Sequence, residues 1–209
     1  MVPAVQLHVR LAARGATDAD DRVALAAVLA EVAGVSAAVL KQRCAHCGGP
    51  HGRPVPVSPA ACRGWMVSLS RAGASVAMAI ANGPSVGIDA ESSARFAQHD
   101  VDAVAFSAAE IAALRGLSPG TAARARASLW TAKEAVLKLT GQGLRVDPRE
   151  LTVSLAADGS PLALQAWDAA PFALPSLRLL PIPAGPGLVC TVAVLAEGSV
   201  TLRLLPPVF

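Results

Sequence analysis

A long helix followed by a set of strands is predicted twice along this chain of 209 residues, once before and once after about Gly83. Helices and strands that occur in separate runs along a sequence are typical of α+β proteins, in which helices pack on an antiparallel sheet. The two halves share no clear sequence identity, so the repeated order alone does not establish an internal repeat. The order is compatible with an α+β fold.

Three helices are predicted from residues that favour helix ends, namely a capping Ser or Thr at the start and a Gly at the stop. They run from Thr17 to Val32, before Gly34; from Ser107, with Glu110 completing a capping box; and from Ser118-Pro119 to Gly141.

Runs of β-forming residues bounded by turn residues predict strands at 5–11, 65–70, 75–81, 86–91, 151–155, 188–195 and 200–205. The strands between Trp65 and Glu91 are separated by turns at Gly73 and at Asn82-Gly83-Pro84, which predicts an antiparallel meander. Residues 44–59 are rich in Gly, Pro, Cys and His and are predicted to form a loop.

Composition excludes several classes of protein. Hydrophobic residues make up 53% of the chain, yet Arg71, Asn82 and Asp89 interrupt the most apolar region before it reaches the roughly 20 residues of a membrane helix. The N-terminus lacks the layout of a signal peptide, so we expect a cytoplasmic protein without a membrane partner. A net charge of +3 is too small to indicate a nucleic-acid partner.

Asp89 and Glu91 lie two residues apart at the end of an apolar run. Side chains alternate between the faces of a strand, so Gly87, Asp89 and Glu91 should share one face. Two partly buried acids repel each other unless a cation lies between them. The spacing therefore suggests a cation site.

A third acid lies on the last long helix, where Trp130, Glu134 and Lys138 form one stripe at i, i+4 and i+8. Lys133 points about 100° away from Glu134. A surface pair between Glu134 and Lys138 would explain this segment alone. Together with Asp89 and Glu91, Glu134 can instead supply oxygen ligands to Mg²⁺ and leave positions for water and a substrate phosphate.

At these positions the sequence resembles the 4'-phosphopantetheinyl transferases, specifically the monomeric type that activates peptide and polyketide synthetases. The resemblance rests on two motifs about forty residues apart, Gly87-x-Asp89-x-Glu91 and Trp130-x-x-Lys133-Glu134-Ala135-x-x-Lys138. Three lesser motifs also match: Phe106-Ser107-x-x-Glu110, Gly52-Arg53-Pro54, and Cys44-x-x-Cys47-Gly48-x-x-His51-Gly52.

The resemblance implies an enzyme of the holo-[acyl-carrier-protein] synthase type. Such enzymes move the phosphopantetheine arm of coenzyme A onto a serine of an acyl or peptidyl carrier protein and release 3',5'-ADP. By this resemblance Asp89, Glu91 and Glu134 are Mg²⁺ ligands, and Glu134 is also a candidate general base. Lys133 and Lys138 would contact the pyrophosphate. Glu134, as the candidate base, and Lys138 are the expected catalytic residues.

The resemblance also implies that Arg22, Arg53, Ser70 and Arg71 contact the phosphates of coenzyme A. Two positions depart from the family pattern. Where the family usually has Ser-His-Ser, this chain has Ser70-Arg71-Ala72, and where it has Gly-Lys-Gly, this chain has Gly141-Gln142-Gly143. The first change keeps a cation but makes its charge independent of pH, and the second removes a positive charge beside the expected carrier-docking segment.

The fold that the resemblance implies has two similar lobes related by a pseudo-twofold axis, each with a long helix packed on a small antiparallel sheet. We expect an N-terminal lobe at 1–83 and a C-terminal lobe at 84–209 that carries the metal site. Coenzyme A would bind between the lobes, and the protein would act as a monomer.

Two alternatives remain open from the residues. Cys44, Cys47, His51 and Cys62 could be four zinc ligands of a zinc-stapled binding module. The second pair is irregularly spaced, so the sequence favours buried thiols and a Gly-rich turn over stoichiometric zinc. Alternatively, the same metal site could serve a Mg²⁺-dependent hydrolase of nucleotide pyrophosphates.

Overall fold

The first long helix begins and ends where its capping residues predict. The computed structural model describes residues 4–44, 47–99 and 101–207, and in it helix α1 spans Asp18–Ala33. The Thr17 side chain accepts a hydrogen bond from the Asp20 backbone N–H, and the Asp20 carboxylate accepts one from the Thr17 N–H. Gly34 ends the helix in the left-handed region, at φ 67°. The predicted helix is confirmed.

The other α-helices of the described residues lie between Ser93 and Thr140. They are α2 (Ser93–Gln98), α3 (Asp102–Ala105), α4 (Ala108–Leu114) and α5 (Pro119–Thr140). Helix α4 has the predicted capping box of Ser107 and Glu110, and α5 starts at Ser118 and stops at Gly141 as expected. The short helices α2 and α3 were not predicted from the sequence.

The strands of the described residues include all seven predicted ones. In chain order they are β1 (Val5–Ala13), β2 (Val39–Gln42), β3 (Pro54–Ser58), β4 (Trp65–Ala72), β5 (Ser75–Asn82), β6 (Val86–Ser92), β7 (Thr152–Leu155), β8 (Pro161–Ala166), β9 (Leu177–Ile182), β10 (Leu188–Leu195) and β11 (Val200–Leu204). Strands β2, β3, β8 and β9 were not predicted from the sequence.

Two main sheets and two short ribbons organise these strands. The first sheet has the order β11-β1-β5-β4, and the second has the order β6-β10-β9. Neighbours are antiparallel except β1 and β11, which are parallel. The ribbons are β2-β3 and β7-β8. The expected division between residues 83 and 84 stays a prediction, and β11 lies in the same sheet as β1.

The two sheets lie between the two long helices. Leu25, Leu29 and other apolar residues of α1 pack on one face of the first sheet. The other face of that sheet packs against the second sheet through side chains such as Val9 and Val192. Helix α5 covers the far face of the second sheet, where Ala135 packs near Ala193. This arrangement confirms the predicted α+β class.

The predicted meander is wrong at its third strand. Strands β4 and β5 form the expected antiparallel hairpin, but β6 leaves that sheet and pairs with β10. Val86, Ile88 and Ala90 of β6 pack against the first sheet while α5 covers its opposite face, so β6 is buried on both sides. The edge of the first sheet still contacts β6, because Ser68 Oγ accepts a hydrogen bond from the Ile88 N–H at 3.0 Å.

The predicted loop at 44–59 is wrong over its last third. Pro54–Ser58 forms β3 and pairs with β2, with Gln42 opposite Pro54 and Leu40 opposite Pro56. Proline lacks a backbone donor, which is tolerated in a strand that lies at an edge.

None of the described helices is both long enough and apolar enough to cross a membrane.

Gly87 sets how closely β6 approaches α5. A Cβ atom at this position would overlap the carbonyl oxygen of Ala135 and lie 2.6 Å from the backbone nitrogen of Leu139. Both obstacles are backbone atoms of α5, so neither can rotate away. The glycine therefore permits the close contact that brings the acids of β6 beside Glu134 and Lys138 of α5.

We predict that Gly87→Ala lowers the free energy of unfolding by about 1–3 kcal/mol or more, because the added methyl group must displace the helix. Gly120→Ala is the matched control, since Gly120 lies in α5 with open space around it and its replacement should stabilise the helix by about 0.4–1 kcal/mol. Chemical denaturation of both variants measures the difference. Equal stability of Gly87→Ala and the unmodified protein would contradict the assigned packing.

Candidate active site

A cleft of about 650 Å³ lies between α1 and β4 on one side and β6 and α5 on the other. Eight of the nine site residues predicted from the sequence line it. They are Arg22, Arg53, Ser70, Arg71, Asp89, Glu91, Glu134 and Lys138. The ninth, Lys133, does not line the cleft.

Asp89 is the most constrained acid of the cleft. Its Oδ1 atom accepts hydrogen bonds from Lys138 Nζ at 2.6 Å and from Ser70 Oγ at 2.7 Å. Its Oδ2 atom is buried and has no hydrogen-bond partner among the described residues. Burial raises the pKa of Asp89, although Lys138 and Ser70 oppose the rise. The loss of hydration at this buried oxygen is thus not offset by a hydrogen bond.

Glu134 faces the same cleft from α5, one turn before Lys138. Burial and the nearby Asp89 raise the pKa of Glu134 to about 7. Its Oε1 atom is also buried without a hydrogen-bond partner in the described structure. Burial likewise raises the pKa of Glu91, whose Oε1 atom accepts a hydrogen bond from Arg95 at 2.8 Å. The three acids therefore destabilise one another's charged forms.

The acids supply oxygen donors of the kind that a divalent cation such as Mg²⁺ prefers, although the ligand atoms of Asp89, Glu91 and Glu134 do not all lie within 4.8 Å of one another. Asp89 Oδ2 and Glu134 Oε1 are orphaned oxygen acceptors, and a cation would satisfy both and relieve the repulsion between the acids. The acids do not form a closed cage, because Lys138 holds Asp89 and Arg95 holds Glu91. A bound cation would compete with these two partners. The residues that would hold Mg²⁺ are Asp89, Glu91 and Glu134.

Three arginines supply positive charge to the cleft. Arg22 lies in the second turn of α1 and has no ion-pair partner among the described residues. Arg53 donates to the carbonyl oxygens of Leu139 at 3.1 Å and Val86 at 3.4 Å, so it links the loop before β3 to α5 and β6. A guanidinium held by two carbonyl groups still has donors available for a phosphate.

Arg71 is already paired with acids of α1. Its guanidinium donates to Asp21 Oδ2, and Asp18 Oδ1 lies 3.2 Å from Arg71 Nε. Asp21 is fully buried, and its other oxygen accepts the Gly15 N–H at 2.8 Å. These contacts fix Arg71 at the wall of the cleft. A ligand phosphate would share the guanidinium with Asp21.

The structure places Lys133 away from the cleft. Its Nζ atom is fully buried, donates to Glu110 Oε2 and to the Ala105 carbonyl oxygen at 2.9 Å, and lies 5.4 Å from the centre of the Phe106 ring. The 100° turn between consecutive helical residues explains the difference, because it points Glu134 into the cleft and Lys133 into the α3–α4 region. In this arrangement Lys133 cannot contact a ligand of the cleft.

Glu110 is the residue whose importance the sequence understated. The capping box accounts for one contact, from the Ser107 N–H to Glu110 Oε2 at 2.8 Å. The carboxylate also accepts the Val153 N–H at 2.7 Å and pairs with Lys133. These partners are distant in sequence, so the Phe106-Ser107-x-x-Glu110 motif could signal the residue but not its partners.

The four candidate zinc ligands do not come together. Cys44, Cys47 and His51 have ligand atoms that all lie within 4.8 Å of one another. Cys62 instead lies buried in the core between α1 and the first sheet, with Leu25 and Val67. A site that includes Cys62 is therefore excluded by this structure.

A sequence model of the 4'-phosphopantetheinyl transferase superfamily matches residues 85–193. The match covers just over half of the chain and includes Asp89, Glu91, Glu134 and Lys138. No curated protein shows a significant match to the chain.

The chain therefore belongs to the 4'-phosphopantetheinyl transferase superfamily. Members of this superfamily transfer phosphopantetheine to carrier proteins and in general use coenzyme A and Mg²⁺.

We predict that Lys133→Met lowers the free energy of unfolding by about 3–5 kcal/mol, because it leaves the buried Glu110 carboxylate without its cation. Lys41→Met, at an exposed position of β2, is the matched control and should change stability by less than about 0.5 kcal/mol. Guanidinium chloride unfolding measures both. A Lys133→Met protein of unchanged stability that binds coenzyme A weakly would instead place this ammonium at the pyrophosphate.

Proposed function

We propose that this protein is a holo-[acyl-carrier-protein] synthase type 4'-phosphopantetheinyl transferase. It transfers the 4'-phosphopantetheine arm of coenzyme A to a serine of an acyl or peptidyl carrier protein and releases 3',5'-ADP, in a Mg²⁺-dependent reaction. We further propose that it acts as a monomer in the cytoplasm and serves secondary metabolism, as the resemblance to activators of peptide and polyketide synthetases implies.

The observation that supports this function most directly is that acids and arginines line the same cleft. Asp89, Glu91 and Glu134 lie on β6 and α5, Arg22 lies on α1, and Arg53 lies in the loop before β3 and donates to α5 and β6. A pyrophosphate with a second, remote phosphate carries several negative charges, which arginine binds through its planar fork. The acids can bind such an anion only with a cation between them and the ligand. A substrate with a pyrophosphate and a further phosphate, bound together with a cation, therefore suits both the arginines and the acids of the cleft.

The chemistry can be assigned to the residues of this chain. Arg22, Arg53 and Arg71 would bind the coenzyme phosphates, and Asp89, Glu91 and Glu134 would hold Mg²⁺. When bound, this ion would stabilise the negative charge that develops on the pyrophosphate oxygens. Lys138 Nζ, which bonds Asp89 and Ser70, lies where it can also donate to the pyrophosphate.

The transfer step forms one bond and breaks one. The serine oxygen of the carrier attacks the phosphorus attached to the pantetheine arm, and the bond from that phosphorus to the bridging oxygen breaks. The Glu134 carboxylate would accept the serine proton, directly or through a water molecule. The leaving group departs as 3',5'-ADP, with Lys138 opposing the charge that it gains.

We predict that intact-mass analysis will detect the phosphopantetheine adduct on a carrier protein after incubation with the enzyme, coenzyme A and Mg²⁺. Asp89→Ala should abolish transfer, and Glu134→Gln should reduce turnover by several orders of magnitude, because each removes a cation ligand or the base. Glu197→Gln, at an exposed position, is the matched control and should keep full activity.

The same assay separates the alternatives. Release of 3',5'-ADP in the absence of carrier, at the rate seen in its presence and without an adduct, would indicate a pyrophosphate hydrolase. A folded protein that gives neither adduct nor 3',5'-ADP with any carrier would contradict both enzymatic functions. Unchanged activity of Glu134→Gln would exclude Glu134 both as a cation ligand and as the base.

We predict that Arg22→Ala raises the KM for coenzyme A by roughly 10- to 150-fold, the equivalent of one charge-assisted phosphate contact. A contact with a phosphate remote from the reacting one is equally strong in the ground and transition states, so kcat should stay nearly constant. Arg115→Ala, at an exposed position after α4, is the matched control. A fall in kcat at constant KM would place Arg22 at the transferring phosphate.

A further inference from the structure

A compact group of sulfur and nitrogen donors lies in the loop between β2 and β3. Cys44, Cys47 and His51 have ligand atoms that all lie within 4.8 Å of one another, and Cys47 Sγ lies 2.9 Å from His51 Nε2. These donors differ in kind from the carboxylates of the cleft. Thiolate and imidazole select zinc, whereas carboxylates select Mg²⁺.

The backbone of this loop folds around the first cysteine. The Gly48 N–H donates to the Cys44 carbonyl oxygen, and the Cys44 N–H donates to the Gly49 carbonyl oxygen, both at 2.9 Å. The Gly49 N–H points at Cys47 Sγ, 3.4 Å away. This backbone donor helps to orient the Cys47 sulfur.

Glycines leave the space that the donors need. A Cβ atom at Gly49 would lie 3.1 Å from His51 Cδ2 and 3.3 Å from Cys47 Sγ, so a side chain there would press these two residues apart. Gly52 has φ 100°, and a Cβ atom there would lie 3.3 Å from the Cys44 Cα atom. Gly49 and Gly52 therefore leave space in which the three donors converge.

We propose that Cys44, Cys47 and His51 bind one Zn²⁺ ion, with a solvent molecule in the fourth position. Two thiolates and one imidazole are a known set of zinc ligands, and sites with three protein ligands keep an open fourth position. The two thiolate charges balance the charge of the ion. This site is separate from the carboxylate site, and it reverses the expectation from the sequence alone.

The position of the loop suggests what the zinc does. His51 and Gly52 line the mouth of the cleft, and the next residue, Arg53, donates to α5 and β6. The described part of this loop lacks regular secondary structure. A zinc ion that joins Cys44 and Cys47 to His51 would hold both ends of the loop together. Arg53 would then be positioned for an anionic ligand.

Metal analysis of tag-free protein tests the proposal. Reduced, metal-depleted protein is incubated with Zn²⁺ in excess Mg²⁺, which occupies carboxylate sites, and bound zinc is measured after gel filtration. We expect one zinc per chain in the unmodified protein and in Asp89→Ala. Cys47→Ser and His51→Ala should each weaken zinc binding by at least about tenfold, because each removes a ligand. Cys62→Ala is the matched control and should retain full stoichiometry.

Two further measurements keep the test independent of folding and of enzyme activity. Substitution with Co²⁺ should produce the sulfur-to-metal charge-transfer absorption of thiolate ligands in the folded protein, and Cys47→Ser should weaken that absorption. Zinc should also slow tryptic cleavage after the exposed Arg43, next to the first ligand. Folded, reduced protein that binds no zinc, or zinc that persists unchanged in both ligand variants, would overturn the proposal.

Discussion

The hydrogen bonds of Asp89 connect three elements on which the cleft depends. This carboxylate lies on β6 of the second sheet, accepts from Lys138 of α5, and accepts from Ser70 of β4 in the first sheet. A buried charge of this kind is stable only while its partners stay in place. The contact between the two sheets and the position of the last turn of α5 are therefore coupled to the acid that would bind the cation. Gly87, two residues earlier, provides the close approach that makes the contact possible.

A second buried pair sets the rotation of α5. Lys133 and Glu110 meet on the side of the helix that faces α4, and Glu110 also accepts the backbone N–H of Val153 at the start of β7. Because Lys133 and Glu134 are separated by one helical step of about 100°, fixing Lys133 in the interior directs Glu134 into the cleft. The neighbouring positions of one motif thus have different tasks. Lys133 orients the helix, and Glu134 and Lys138 line the cleft.

These two pairs also show what the sequence could and could not predict. Local signals were sufficient for α1, α4 and α5, since Thr17, Ser107 and Ser118 cap their own helices. Alternation on β6 put Asp89 and Glu91 on one face, and the i, i+4 stripe put Glu134 beside Lys138, whereas the meeting of the strand with the helix was implied by the family resemblance. The strand that pairs with β6 could not be predicted, because the sequence pattern of a strand buried on both faces does not indicate which neighbour it pairs with. The residues that contact Lys133, Arg71 and Cys62 could not be predicted either, because they are distant from them in the chain.

The charge pattern of the cleft links the fold to the proposed chemistry. Asp21 and Asp18 at the start of α1 hold Arg71, and the backbone carbonyl groups of Leu139 and Val86 hold Arg53. Arg22 stands apart from them, with no ion-pair partner among the described residues. Fixed cations lose little conformational entropy when they bind a ligand, whereas the free side chain of Arg22 must be ordered. The fixed arginines can therefore define where an anion lies, and Arg22 can close over it. The acids of β6 and α5 repel that anion until a cation neutralises them, so binding of the coenzyme should depend on the cation as well as on the arginines.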